Sequence, residues 1–230
     1  MSGNMSAELI VALDVPDLAR AERLVRSLRP LVRVFKIGSR LFTTEGPQAV
    51  RRVRSLGAEV FLDLKFHDIP NTVSQSVAAA ADLGVFMLTV HAQGGKAMLD
   101  AARLAARRAR RPPKIVAVTL LTSQQAAASV SKRIMALAEE AFESKLEGVV
   151  ASAQECQALR RKFGKGFIIV TPGIRPQSAE KGDQKRVATA GQAVRAGSSY
   201  LVVGRPVIEA ADPRQAVEDI LAEMTISGMQ

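Results

Sequence analysis

The sequence is organised around one stretch, Val60-Phe61-Leu62-Asp63-Leu64-Lys65-Phe66-His67-Asp68-Ile69-Pro70-Asn71-Thr72. It begins as an apolar, strand-like run and then places two carboxylates and an ammonium within six positions. Side chains alternate along an extended strand, so Asp63 and Lys65 are expected on one face. Asp68 follows the end of the apolar run and lies close to Pro70, which predicts a loop at this point. Buried charges are costly unless they are paired, so the cluster indicates either a structural salt bridge or a functional site.

On both sides of this stretch, short apolar runs alternate with amphipathic segments. The predicted strands are Glu8–Asp14, Val32–Ile37, Ala58–Lys65, Val85–His91, Lys114–Leu120, Glu147–Ala151, Phe167–Thr171 and Tyr200–Val203. The predicted helices are Asp17–Leu28, Ser39–Ser55 with an interruption at Gly46-Pro47, Pro70–Leu83, Gly95–Arg108, Ser131–Phe142, Ala153–Lys162, Lys185–Ala196 and Pro213–Met224. Strands that are apolar on both faces are typical of a parallel sheet. Eight β-α units favour an α/β protein of the (β/α)8 TIM-barrel class over an open sheet.

Length and composition agree with a single domain. A chain of 230 residues fits one large α/β domain or two small ones, and no linker or low-complexity stretch divides it. We expect a flexible N-terminal tail at residues 1–7 and a catalytic barrel over residues 8–230. No apolar run is long enough to span a membrane, and the first residues lack the features of a secretory signal. With Cys156 as the single cysteine, a cytoplasmic location is expected.

The formal net charge of +10 favours an anionic partner. The arginine clusters fall on the polar faces or C-terminal ends of predicted helices, where cations complement the helix dipole. Nucleic-acid binding would be better supported by interleaved aromatic residues, and the chain has no Trp and one Tyr. We therefore expect neither a nucleic acid nor a membrane as partner.

The barrel hypothesis brings distant residues together, because active sites in this fold lie where the strands end. Asp14 and Lys36 share the inward parity of their strands, so both should meet Asp63 and Lys65 at the mouth of the barrel. Loops after strands seven and eight commonly bind phosphate in barrels, and here they carry Gly173-Ile174-Arg175-Pro176 and Gly204-Arg205. A phosphorylated small molecule is the expected class of ligand.

Several motifs together resemble one family. They are Asp63-x-Lys65-x-x-Asp68, Ile69-Pro70-Asn71-Thr72, Thr171-Pro172-Gly173-Ile174-Arg175 and Val203-Gly204-Arg205. They are similar to orotidine 5′-phosphate decarboxylases of the bacterial type, over essentially the whole chain. The resemblance implies decarboxylation of orotidine 5′-phosphate to UMP and CO2 in pyrimidine biosynthesis, with no cofactor and no metal.

The resemblance also implies a role for each matching position. Asp14 would bind the ribose, and Lys36 would bridge the ribose and the charged cluster. Asp63 would lie beside the departing carboxylate, and Lys65 would protonate C6. The remaining substrate contacts would come from Thr122 (or Ser123) to the pyrimidine and from Arg175, Gln184, Gly204 and Arg205 to the phosphate. Asp68 would be catalytic together with Lys36, Asp63 and Lys65, and it would come from the neighbouring subunit of a homodimer, as would the substrate-binding residues Ile69 and Thr72.

Some alternatives stay open from the sequence. Asp-x-Lys-x-x-Asp is shared with magnesium-dependent sugar-phosphate decarboxylases or aldolases of the same superfamily, which form the alternative function. A basic barrel that binds RNA is the non-enzymatic alternative. For His67, packing or hydrogen bonding is expected rather than a chemical step, and His91 at the end of strand four is expected behind the site.

Overall fold

The computed structural model describes residues 7–120, 128–176 and 187–228, which form a closed barrel of eight parallel strands in the order of the sequence. The strands are β1 Glu8–Ala12, β2 Val34–Gly38, β3 Glu59–Phe66, β4 Met87–His91, β5 Lys114–Val118, β6 Gly148–Val150, β7 Ile168–Thr171 and β8 Tyr200–Val203. The helices are α1 Leu18–Leu28, α2 Ser39–Glu45, α3 Pro47–Ser55, α4 Pro70–Asp82, α5 Gly95–Arg107, α6 Ala128–Glu143, α7 Ala153–Phe163, α8 Ala190–Ala196, α9 Arg205–Ile208 and α10 Pro213–Gly228. This confirms the predicted (β/α)8 TIM barrel. Of the predicted tail at residues 1–7, all but Ala7 lies outside the described residues.

The core has two layers, because each strand buries side chains on both faces. The inner layer fills the barrel and consists of Ile10, Ala12, Val34, Phe61, Met87, Val116, Val170 and Val202. The larger outer layer lies between the strands and the surrounding helices. Ile10, Ala12 and Val34 point inward as their parity predicts. Asp14 and Lys36 continue those inward positions toward the C-terminal ends of the strands.

Aromatic and charged side chains fill the N-terminal end of the barrel. The Phe86 ring lies between two cations, with Arg33 Cζ 4.7 Å and Lys114 Nζ 4.6 Å from its centroid. The Tyr200 ring meets Phe86 edge-on, and Arg33 donates two hydrogen bonds to Glu8, each of 2.8 Å. Through cation-π contacts of this kind, charged side chains can cover the aromatic rings that close this end of the barrel.

Several boundaries differ from the sequence predictions for identifiable reasons. The predicted break at Gly46 is confirmed: this glycine has φ 59°, a left-handed conformation that separates α2 from α3. Helix α8 begins at Ala190 rather than Lys185, because Thr189 forms a capping box with Gln192 and Ala188 pairs with Ile174. The short helix α9 and a 3-10 turn at Ala92–Gly94 have no strong periodicity and were not predicted. Within the described ranges, no helix is long and apolar enough to cross a membrane.

Candidate active site

A cavity of about 260 Å³ opens at the C-terminal ends of the strands. Its walls combine apolar barrel residues with the charged residues predicted at the strand ends. The charged lining residues are Asp14, Lys36, Asp63, Lys65, Arg175 and Arg205, and the apolar ones include Phe61, Val118, Leu120, Val170 and Val202. The side chains expected at the mouth of the barrel therefore line one cavity.

Four of these residues form a chain of alternating charge. Lys36 Nζ lies 3.1 Å from Asp14 Oδ1 and 3.6 Å from Asp63 Oδ2, and Lys65 Nζ lies 2.9 Å from the same Asp63 oxygen. Gly38 leaves room for this arrangement, because a Cβ at that position would lie 2.8 Å from Lys36 Nζ. The opposed charges offset one another's loss of hydration and hold one another at fixed positions.

Asp63 is the carboxylate at the centre of this chain. Burial raises the pKa of its carboxyl, but the charges of Lys36 and Lys65 and the hydrogen bonds from Lys65 and Thr89 outweigh burial. The pKa of Asp63 is therefore held below its ordinary value. The group remains an anion at neutral pH, between two ammonium groups.

Lys65 lies on an irregular part of β3. The β3–β4 pairing runs from Leu62–Leu88 directly to Phe66–Val90, so the register shifts between these pairs. Lys65 itself has φ 52°, a left-handed conformation that costs a non-glycine residue about 1–3 kcal/mol. Asp63 and Lys65 do meet, as predicted, but through a bulge rather than through simple alternation. Such distortions are often found beside active sites, where they redirect a side chain.

The loops after β7 and β8 form another part of the cavity wall. Gly173 has φ 81°, which the turn after β7 requires, and Arg175 and Arg205 both line the cavity. Beyond Gly173, the Arg175 amide donates to the Ala188 carbonyl at 3.0 Å, and the Ala188 amide donates to the Gly173 carbonyl at 3.2 Å. These bonds join the two ends of the segment from Pro176 to Val187. Two guanidinium groups beside a turn of this kind can bind an anionic ligand.

Not every predicted site residue lies in this cavity. Residues 67–72 are exposed, and the Asp68 side chain accepts a hydrogen bond of 2.7 Å from the Ile69 amide instead of lining the cavity. Ile69 is 66% exposed and Thr72 is exposed as well. Thr122, Ser123 and Gln184 lie outside the described residues.

The two histidines of the chain lie together near Lys65. The rings of His67 and His91 stack with their centroids 5.1 Å apart, and His91 Nδ1 accepts from the Gln93 amide at 3.4 Å. Burial, the neighbouring His67 ring and the Lys65 ammonium lower the pKa of His91. A ring with a lowered pKa is neutral at pH 7. Neither histidine is among the residues that line the cavity.

Sequence reasoning missed Thr89. This fully buried residue of β4 donates a hydrogen bond of 3.0 Å to Asp63 Oδ1 and accepts one of 2.8 Å from the Lys65 amide. The signal in the sequence is weak: one hydroxyl in the apolar run Met87-Leu88-Thr89-Val90. Strand residues of this kind can point either way until the register is known.

The fold and the site together define a class of protein. A (β/α)8 barrel with paired Asp and Lys side chains at its mouth and two arginines on the loops after β7 and β8 is typical of enzymes that act on small phosphorylated molecules. The sequence model described as "Orotidine 5'-phosphate decarboxylase / HUMPS family" matches residues 7–220. The chain belongs to this family.

Individual relatives agree over nearly the full length. The chain is 49% identical to the orotidine 5′-phosphate decarboxylase of Moorella thermoacetica, over 94% of this chain and 92% of the relative. It is 48% identical to that of Dichelobacter nodosus, over 94% and 98%. Among solved structures, the orotidine 5′-phosphate decarboxylase of Lactobacillus acidophilus matches with a TM-score of 0.82 and 35% identity, over 95% of this chain and 99% of the other.

Proposed function

We infer that this chain decarboxylates orotidine 5′-phosphate to UMP and CO2, a step of pyrimidine biosynthesis. The observation that carries this inference is the Asp14–Lys36–Asp63–Lys65 chain on the cavity wall of a member of this family. The related proteins of Moorella thermoacetica and Dichelobacter nodosus bear the name of this activity. The free, buried thiol of Cys156 fits the cytoplasmic location that we propose.

The proposed chemistry needs a cation at the reacting carbon. The bond between C6 and the carboxylate breaks, CO2 leaves, and the electron pair stays on C6. Lys65 Nζ then donates a proton to C6 and recovers one from solvent. A fixed ammonium aimed at developing negative charge is the kind of preorganised group that stabilises such a transition state. Asp63, 2.9 Å from Lys65 Nζ, fixes that ammonium and would lie beside the departing carboxylate.

Substrate binding is proposed to use the remaining walls of the cavity. Asp14 binds the ribose, and Lys36 bridges the ribose and Asp63. The phosphate is held by Arg175, Arg205 and the backbone at Gly204. Two further contacts, from Gln184 to the phosphate and from Thr122 or Ser123 to the pyrimidine, belong to the proposal but lie outside the described residues.

Gly204 leaves room for close approach of the phosphate. A Cβ built there would meet Ala12 and Asp14 only at 3.6 and 3.7 Å, which are ordinary contacts. Packing within the chain therefore does not demand glycine at this position. Glycine here would leave to the ligand's phosphate the space that a side chain would otherwise fill.

The proposal includes a homodimer that completes each site. Asp68 does not line the cavity of its own chain, although the Asp-x-Lys-x-x-Asp motif assigns it to the site. It lies in the exposed run 67–72 next to Ile69, a large apolar side chain that is 66% exposed. An exposed apolar residue beside a charged one suits a contact with a second copy. Asp68, Ile69 and Thr72 would enter the partner's site, and the partner would reciprocate.

The direct test is incubation of the purified protein with orotidine 5′-phosphate while the orotate absorbance is followed. Loss of the absorbance is expected, with formation of UMP and CO2, and Lys65→Ala should abolish it. A protein that leaves this substrate intact but cleaves a sugar phosphate in the presence of magnesium would instead belong to the alternative activity.

A further inference from the structure

The side chain of Thr89 connects the two residues that the proposed chemistry uses. Its hydroxyl donates to Asp63 Oδ1 at 3.0 Å and accepts from the Lys65 amide at 2.8 Å. A threonine hydroxyl has one proton to give and lone pairs to receive, so both bonds can exist together. Thr89 is fully buried, which keeps water from competing for either bond.

The position of Thr89 in the sheet explains why a side chain is needed there. Between the pairs Leu62–Leu88 and Phe66–Val90, three residues of β3 face Thr89 alone. The Glu59 amide donates to Arg33 on the β2 side, so regular alternation along β3 would turn the Lys65 amide toward β2 as well; the register shift turns it toward β4 instead. There the Thr89 hydroxyl accepts the hydrogen of the Lys65 amide and so supports the left-handed backbone of Lys65, which has φ 52°.

The same hydroxyl also orients the Asp63 carboxylate. With Oδ1 held by Thr89, Oδ2 faces the ammonium groups of Lys65 at 2.9 Å and Lys36 at 3.6 Å. One buried group therefore fixes both the carboxylate and the backbone from which the ammonium projects.

We propose that Thr89 is a positioning residue, which sets the geometry of Asp63 and Lys65 without touching the substrate. It does not line the cavity, so it acts only through these two residues. The proposal rests on the function proposed above, because the loss that it predicts is a loss of decarboxylation. Its effect on the Lys65 backbone can nevertheless be measured without any substrate.

The test compares three variants. Thr89→Val removes the hydroxyl, and Thr89→Ser keeps it. Thr171→Val is the matched control: Thr171 is equally buried, and its hydroxyl contacts Ser198 Oγ at 2.6 Å and Cys156 Sγ at 3.3 Å, away from the charged chain. Both valine variants lose a buried hydroxyl, so thermal unfolding shows whether their stabilities fall alike.

Two further measurements are made on each variant. The first is the exchange rate of the Lys65 amide in the ligand-free protein, followed by NMR. It should rise about five- to tenfold in Thr89→Val, as expected for one lost hydrogen bond, and stay near the wild-type value in the other two. The second is turnover of orotidine 5′-phosphate. In Thr89→Val, kcat should fall roughly 10- to 100-fold with a smaller change in KM. The reason is that the substitution misplaces Asp63 and Lys65 but leaves the residues that bind the phosphate unchanged.

The outcomes separate the hypotheses. If Thr89→Ser is as impaired as Thr89→Val, the methyl group rather than the hydroxyl matters, and the positioning role is wrong. Equal loss of kcat in Thr171→Val would assign the effect to stability alone. If wild-type protein fails to decarboxylate the substrate, the proposed function is wrong, while unchanged Lys65 exchange in Thr89→Val would refute the proposal about Thr89 itself.

Discussion

Two inactive variants, mixed together, can decide whether the exposed segment 67–72 serves a neighbouring subunit. Lys65→Ala removes the proposed proton donor from the chain that carries the change. Asp68→Ala removes a carboxylate that does not line its own cavity and that we propose to act in the partner's site. Each variant alone should be nearly inactive, because every site of its homodimer lacks one of the two groups.

The size of the recovery follows from the symmetry of the dimer. In a heterodimer, one site receives both lesions. The other combines intact Lys65 from one chain with intact Asp68 from its partner. Random mixing of equal amounts makes about half of the dimers heterodimers, so about a quarter of all sites should regain wild-type activity.

The assay is decarboxylation of orotidine 5′-phosphate after subunit exchange, with exchange confirmed by the masses of differently labelled chains. The matched control mixes Lys65→Ala with Asp63→Ala. These two residues contact each other at 2.9 Å within one chain, so every site keeps one lesion and no recovery is expected. Confirmed exchange with activity still at the single-variant level would show that Asp68 acts in its own subunit.

Three further predictions concern the metal dependence of turnover, the binding of the phosphate and the stability of the protein at acid pH. Turnover should survive exhaustive chelation, because in the proposed mechanism Lys65 takes the place of a metal electrophile; loss of turnover that magnesium restores would favour the sugar-phosphate relatives instead. Arg205→Ala should weaken binding of the nucleotide by about 1.5–3 kcal/mol and hardly affect orotidine, which lacks the phosphate; equal losses on both would exclude Arg205 as a phosphate ligand. The stability advantage of wild type over Asp63→Asn should be full above the unfolded pKa of about 3.9, because the folded-state pKa is lowered, and should disappear as the pH falls below that value toward the folded pKa. Urea unfolding of both proteins over this pH range measures the difference in their free energies of unfolding. A difference that grows on acidification would contradict the claim that Lys36 and Lys65 stabilise an ionised Asp63.

The sequence was sufficient to predict the barrel and most of its cavity. Strand parity placed Asp14 and Lys36 on the inward face, and the structure puts their side chains 3.1 Å apart. This worked because each strand has a period of two and all strands end at the same edge, so local patterns specify long-range neighbours. The glycine and arginine of the β8 loop were predictable for the same reason, since their place follows from the order of the strands.

Other features depend on register, which the sequence pattern does not determine. The shift in β3–β4 pairing arises from how two strands meet, and the sequence of β3 alone reads as regular alternation. Thr89 gains its role only through that shift. The start of α8 was misplaced for a related reason: the pairing of Ala188 with Ile174 joins residues far apart in sequence, and it prevents the helix from beginning earlier.

The distribution of charge around the cavity bears on how the proposed reaction would proceed. Asp14, Lys36, Asp63 and Lys65 are together neutral, so the two arginines leave the wall with an excess of two positive charges. A phosphate monoester carries a charge of about −1.5 to −2 at pH 7, which these arginines can balance. The negative charge of the substrate's carboxylate would then have no cation left to balance it. This carboxylate would lie beside Asp63, which its neighbours keep ionised. In the proposed binding mode, breaking the C6 bond would move negative charge from the carboxylate to the ring carbon, away from Asp63 and toward Lys65. The proposed arrangement would therefore disfavour the bound carboxylate and favour the charge that replaces it, which is the difference in binding that accelerates a reaction.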